Sequence, residues 1–129
     1  MRFSEATDTA VEREARRLKR SKGSIVEELA EEAVKARRFP GLAFRGVDAA
    51  RRPWVVGSGL DVWEICHMLE DFGSVEGLVA DSQLTPAQVR LAAAYREAFP
   101  EEIEEAITEN RRTVDDLREL YPFVQDARG

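Results

Sequence analysis

The chain has 129 residues, 43% hydrophobic and 34% charged, with a formal net charge of −6 and one cysteine. That length suits one domain, or two very small ones sharing a core, and a single cysteine excludes an internal disulfide framework and fits a reducing cytosol. No apolar run approaches a membrane span and residues 1–30 lack the apolar centre of a signal peptide, so a cytoplasmic location without a membrane partner is expected.

The charge is unevenly spread. Residues 1–40 hold ten Lys/Arg against eight Asp/Glu, residues 41–60 three against one, and residues 61–129 six against sixteen. A basic front and an acidic back suggest two faces with different partners, so the negative total does not by itself exclude DNA.

In chain order, Met1 to Glu5 alternates as a half-buried strand would, with Phe3 apolar between Arg2 and Ser4. Ala6 to Arg20 turns helical, with Val11, Ala15 and Leu18 on one face, and Ser21-Lys22-Gly23 breaks it. Ser24 followed by Glu27 reads as a capping box opening a second helix to about Arg38, with Ile25, Leu29, Ala33 and also Val26 and Val34 towards the core. A short strand, a helix, a turn and a capped helix resemble the ribbon-helix-helix fold, whose monomers pair strands and interlock helices. That resemblance implies that Arg2 and Ser4 face bases in the major groove and that Ser24 holds a phosphate at a helix N-terminus. The alternative is an ordinary helical hairpin. The basic run Arg13, Arg16, Arg17, Lys19, Arg20 and Lys22 is either a solvated face or a phosphate-contacting one.

Residues 42–56 read as a hairpin: Leu42 to Arg45, a loop with Gly46 and Asp48, then Trp54 to Val56, with Pro53 starting the second strand. Arg51 and Arg52 are candidates for a wing on a phosphate backbone, or for keeping an edge soluble. Val62, Ile65, Cys66, Leu69 and Phe72 form a helical stripe closed by Gly73, and Ser74 caps a short segment holding Val75, Leu78 and Val79. Thr85 and Pro86 then open a helix with Val89, Ala92, Ala93 and Phe99 at helical spacing, stopped by Pro100. Three short helices with a turn before the last outline a helix-turn-helix. In that arrangement Gln88 and Arg90 project from the first turn of the recognition helix towards DNA.

Gly57-Ser58-Gly59-Leu60-Asp61-Val62-Trp63-Glu64-Ile65, with Leu84-Thr85, Val89, Ala92-Ala93, Tyr95 and Pro100-Glu101-Glu102-Ile103, carries a second resemblance. It is similar to the small helix-turn-helix family of VapB-type antitoxins that accompany PIN-like ribonuclease toxins, over roughly residues 40–107. The chain departs from that pattern at Gly59, where the family usually carries an Arg. From Glu101 the chain is an acidic helix with Ile103, Ala106 and Ile107 inward, and Val114, Leu117, Leu120, Tyr121 and Val124 continue an apolar stripe cut by Pro122. The resemblance implies a C-terminal segment laid in a groove of the toxin through Leu117, Leu120, Tyr121 and Phe123. Arg118 or Arg128 would then enter the toxin's acidic metal site. A tail that packs on its own body is the other reading.

No catalytic constellation is visible. Cys66 and His67 are neighbours on a helix and point to different faces, one Cys and one His do not make a zinc site, and Gly57-Ser58-Gly59 lacks the frame of a nucleophile elbow or a phosphate loop. Tyr95 and Trp63 read as core aromatics rather than a stacking platform. The expected fold is mainly α: a ribbon-helix-helix-like module over 1–39, a hairpin and a winged-helix-like bundle over 40–112, and an amphipathic tail over 113–129. The expected function is that of an antitoxin without enzymatic activity or cofactor. It would bind a PIN-like ribonuclease toxin and, as a homodimer or higher even oligomer, repress its own operon at operator DNA. The alternative is a DNA-binding regulator with no toxin partner.

Overall fold

The computed structural model describes the backbone of residues 2–120 and the side chains of residues 2–48 and 50–111. The described residues are mainly helical, with one two-stranded antiparallel sheet, and the chain divides into two units, Met1–Trp54 and Val55–Gly129.

The first unit contains α1 (Glu5–Leu18), α2 (Lys22–Arg38), β1 (Leu42–Arg45), a 3₁₀ turn at Asp48–Ala50, and β2 (Arg52–Val55), whose last residue opens the second unit. The strand expected at the start is not formed. Ser4 caps α1 instead: its hydroxyl accepts the Thr7 N–H at 3.2 Å, and Glu5 and Asp8 place negative charge in the first turn. A capped, correctly charged helix start outweighs the alternation of three residues, which needs a neighbouring strand to bond to. The second boundary also shifts. The α2 cap is Ser21, whose hydroxyl accepts the Ser24 N–H at 3.1 Å, so Ser24 lies inside the first turn rather than before it.

The apolar core of this unit is small. Val11, Ala15 and Ile25 are buried, with Leu18 and Val26 packed against them, and Phe39 and Leu42 are buried where α2 gives way to β1. Of the α2 residues expected inside, Leu29 is 45% exposed, Val34 66% exposed, and Ala33 is exposed as well. Charged contacts supplement the core. The Arg20 guanidinium donates to Ser24 Oγ at 2.6 Å, Glu28 Oε2 at 3.1 Å and Asp48 Oδ1 at 3.2 Å. Arg51 meets both oxygens of Glu32, at 2.5 and 3.0 Å, which fastens the hairpin to α2. Gly46 makes the hairpin loop possible: at φ +106° a Cβ would stand 2.3 Å from the Ala50 carbonyl oxygen.

The second unit contains α3 (Val62–Phe72), α4 (Val75–Ala80), α5 (Pro86–Ala98) and α6 (Pro100–Leu120). Its boundaries follow the sequence closely. Glu64 Oε1 accepts the Asp61 N–H at 3.0 Å, Gly73 ends α3 at φ +75°, and Ser74 Oγ accepts the Gly77 N–H at 3.0 Å. Thr85 and Gln88 form a reciprocal capping box, with Pro86 at the first helical position. Only Phe99 separates α5 from α6, because Pro100 cannot continue the α5 hydrogen-bond ladder.

Helix α3 is the centre of this unit and packs against α4, α5 and α6. Val62, Ile65, Cys66, Leu78, Val89, Ala92, Tyr95 and Ile103 are all at most 1% exposed. The absence of a large side chain at Ala92 lets α3 come close enough for the Cys66 thiol to donate to the Ala92 carbonyl at 3.5 Å. Phe72, expected in the buried stripe, is 42% exposed because it sits in the last turn before Gly73. Helix α6 runs unbroken through residue 112, so the backbone has no boundary between 112 and 113.

Tyr95 is fully buried, and its hydroxyl donates to Glu102 Oε2 at 2.8 Å across the α5–α6 junction. Tyr95→Phe keeps the ring and removes that bond. A charge-assisted hydrogen bond with a half-exposed acceptor is worth about 1–2 kcal/mol, so urea unfolding followed by helical ellipticity is expected to show a loss of that size, whereas Glu97→Gln on the exposed side of α5 leaves the midpoint in place.

Candidate functional site

Each residue expected to touch DNA has a definite local environment. Ser4 is used as a cap, and its hydroxyl also donates to Thr7 Oγ1 at 2.9 Å. Ser24 Oγ accepts from the Arg20 guanidinium at 2.6 Å, which engages its acceptor and not its O–H. Lys22 sits at the first position of α2 and its ammonium meets Asp8, with Glu12 at 3.7 Å; the Asp8 hydrogen bond holds the Lys22 pKa above its ordinary value. Gln88 closes the α5 capping box with its side-chain oxygen, so its acceptor is committed to the backbone of Thr85. Arg2 and Arg90 are exposed and form no ion pair among the described residues. These positions are divided between the units: Arg2, Ser4, Lys22 and Ser24 belong to the first, and Gln88 and Arg90 to the second.

The basic run on α1 separates into engaged and available cations. Arg17 is held by Glu14 at 2.7 Å, and that hydrogen bond raises the pKa of the Arg and lowers that of the Glu. Arg20 is spent on Ser24, Glu28 and Asp48. Arg13 and Arg16, one turn apart on α1, and Lys19 at its C-cap are exposed and form no ion pair among the described residues. With Arg2 they are the unneutralised positive charge on this helix and its lead-in. Sequence spacing identifies the Glu14–Arg17 pair, but the Arg20 contacts to Glu28 and Asp48 join residues 8 and 28 positions apart and are not visible in it. Arg51 likewise proves to be a brace: its bond to Glu32 raises its pKa, and no wing role follows from its position.

In the second unit Arg96 lies between Glu70 and Glu104, which hold its pKa up although burial opposes them. Helix α5 therefore carries one cation without a described counter-charge, Arg90, in a unit where Asp and Glu outnumber Lys and Arg by sixteen to six. Of the residues expected to bind a toxin, Leu117, Arg118 and Leu120 fall in the α6 backbone but their side chains lie outside the described residues, as do Tyr121, Phe123 and Arg128 altogether.

A cavity of about 230 Å³ opens in the first unit, with Leu18, Ile25, Leu29 and Val47 among its walls. Its rim charges are paired through Arg17–Glu14, Arg51–Glu32 and Arg20 shared between Glu28 and Asp48, three arginines against four carboxylates. Among the described residues no three His, Cys, Asp or Glu side chains gather as metal ligands, and no described helix is long and apolar enough to cross a membrane. No family model, no curated protein and no solved structure matches the chain.

Cys66 is 1% exposed, and burial pushes its thiol up to about 11. A neutral, enclosed thiol is a poor nucleophile. Native protein is expected to react with a disulfide reagent at pH 8 far more slowly than urea-unfolded protein. Because the folded pKa is the higher one, the thiol's contribution to stability is complete below pH 9 and is lost as pH rises towards about 11, which urea midpoints across that range check.

Proposed function

We propose that the chain is an antitoxin that binds and inhibits a PIN-like ribonuclease and, as a dimer, represses its own operon by binding operator DNA. The reading rests on the VapB-type resemblance across residues 40–107. The observation that carries its DNA-binding half is the set of exposed cations Arg13, Arg16 and Lys19 on and beside α1, in a unit with thirteen Lys/Arg against nine Asp/Glu. Polyanion binding draws on cations whose charge is not already neutralised, and each phosphate contact releases condensed counter-ions. The first unit supplies such cations, and the acidic second unit supplies chiefly Arg90. Electrostatics therefore favours phosphate contact through α1 over insertion of α5. A ribbon-helix-helix strand is no part of the reading, since Ser4 starts a helix; the helix-turn-helix outline of α3, α4 and α5 remains part of it as a packed scaffold.

The toxin-binding half is assigned to the C-terminal segment. The last side chains described as buried on α6 are Ala106 and Ile107, so a cut after Arg112 leaves the described core of the second unit whole. An Arg presented on this segment suits a cluster of carboxylates because its planar fork pairs with them bidentately.

Two measurements test the reading. In binding to the DNA upstream of the chain's own reading frame, Arg13→Ala/Arg16→Ala removes two cations from each chain of the dimer and is expected to flatten the plot of log affinity against log salt by about 3.6, four phosphates at about 0.9 each. Lys22→Ala, whose ammonium is already engaged by Asp8, is expected to keep the parent slope. A slope lost with Arg90→Ala instead would assign the contact to α5 and overturn this one. Separately, a chain ending at Arg112 is expected to retain its melting temperature and lose inhibition of a PIN-like ribonuclease encoded beside it. Inhibition equal to that of the intact chain would refute the assignment to the tail, and no inhibition by the intact chain would leave a DNA-binding regulator.

A further inference from the structure

The first unit exposes three large apolar side chains among the described residues, Leu29, Val34 and Val47, and two of them line one cavity. Leu29 stands on α2 and Val47 on the hairpin loop, and Leu18 of α1 with the buried Ile25 completes the apolar part of the wall. Ligand pockets share this make-up, apolar for the most part with a few polar groups that fix orientation. A space of about 230 Å³ admits a ligand of only a few heavy atoms.

The polar part of the wall is not evenly matched. Arg17 engages both oxygens of Glu14, and Arg51 both oxygens of Glu32, so those two pairs are closed. Glu28 and Asp48 instead share a single guanidinium nitrogen. Arg20 Nη1 donates to Glu28 Oε2 at 3.1 Å and to Asp48 Oδ1 at 3.2 Å. The other oxygens, Glu28 Oε1 and Asp48 Oδ2, accept no hydrogen bond among the described residues. Two carboxylates on one cation leave one negative charge in the cavity wall, and the Glu28 side chain, 25% exposed, keeps part of it out of water.

We propose that this cavity binds a small aliphatic primary amine, its ammonium held by Glu28 and Asp48 and its carbon chain laid against Leu18, Leu29 and Val47. One excess charge calls for one cationic head. An ammonium carries three donors on a compact charge, so it reaches oxygens of two different carboxylates, whereas a guanidinium fork is matched to both oxygens of one. A neutral ligand leaves the excess charge uncompensated, and an anion adds to it. Two open carboxylate oxygens are fewer than a calcium or magnesium ion takes. The inference lies beyond the functional reading and is independent of it, since neither DNA nor a toxin enters it.

The test is a titration of the isotope-labelled intact chain with n-pentylammonium, which is charged at neutral pH as a lysine side chain is. Saturable amide shifts at Leu29, Val47 and Asp48 are expected, with a dissociation constant on the order of 1 mM. Asp48→Asn keeps an acceptor for Arg20 and a residue type that tolerates the φ of +50° there, but it removes the excess charge. It is expected to weaken binding roughly fivefold. Val47→Thr makes an exposed part of the wall polar and is expected to weaken pentylammonium roughly threefold. Methylammonium has no chain to lay there, so it is expected to bind more weakly than pentylammonium and to ignore Val47→Thr. Amide spectra unchanged away from the cavity verify that both variants fold. No saturation below about 20 mM overturns the proposal. So does Asp48→Asn that binds like the parent, because the excess charge is then not what holds the ligand. n-Pentanol bound as tightly as pentylammonium overturns it by removing the carboxylates' part, and methylammonium bound as tightly overturns it by removing that of the apolar wall.

Discussion

The contact on which the second unit depends is the close approach of α3 to α5, set by the small side chain of Ala92 against Cys66. A longer side chain at Ala92, itself 0% exposed, would separate the helices and disturb the packing around it, in a unit where Ile65, Val89 and Tyr95 are also buried completely. Because α3 also touches α4 and α6, its position settles theirs. The one-residue link at Phe99 then turns α6 back, and the Tyr95 hydroxyl to Glu102 fixes the junction. A buried phenol needs an acceptor, and placing Glu102 three residues into α6 supplies one while leaving part of its carboxylate in water.

The first unit is held differently. Its buried apolar residues are few, Val11, Ala15 and Ile25 with Phe39 and Leu42 at the junction of α2 and β1, and two arginines add the polar contacts that hold the hairpin to α2. Arg20 reaches from the end of α1 to α2 and to the 3₁₀ turn, and Arg51 grips Glu32 with both oxygens engaged. Guanidinium suits this work because its donors lie in one plane at fixed angles, so a bidentate pair specifies orientation as well as proximity. Lysine would satisfy the charge but not the geometry. Arg20 and Arg51 thereby leave the pool of cations that a polyanion would draw on.

The helices and caps of the second unit are legible in the sequence because local chemistry decides them. Asp61 with Glu64, Gly73, Ser74, and Thr85 with Pro86 and Gln88 each satisfy helix ends within four residues of themselves. The hairpin is legible for the same reason, from Gly46 and the residues around Pro53. At the N-terminus the same reasoning misplaces two boundaries, since Ser4 and Ser24 each suggest one role where the neighbouring backbone offers another. Ser21 and Ser24 both precede a helical stretch, and only the N–H that actually lacks a partner tells which one caps. The inward side of α2 is also narrower than its pattern implies: Leu29, Ala33 and Val34 sit at helical spacing with Ile25, but helical spacing cannot show that a helix has two apolar faces.

The sites are less legible than the fold because a cation's value to a partner depends on what it already touches. Read as sequence, Arg13, Arg16, Arg17, Lys19, Arg20 and Lys22 are equivalent members of one run. In the folded unit Arg17, Arg20 and Lys22 are neutralised by Glu14, by Glu28 with Asp48, and by Asp8, while Arg13, Arg16 and Lys19 keep their charge for solvent or for a ligand. Two of those carboxylates, Glu28 and Asp48, are brought in by α2 and by the hairpin turn. The pattern of available charge on α1 is thus written by tertiary structure. A substitution at Asp48 would release part of Arg20 while loosening the turn that Arg20 holds, so affinity for a polyanion and the stability of the hairpin are coupled through one side chain.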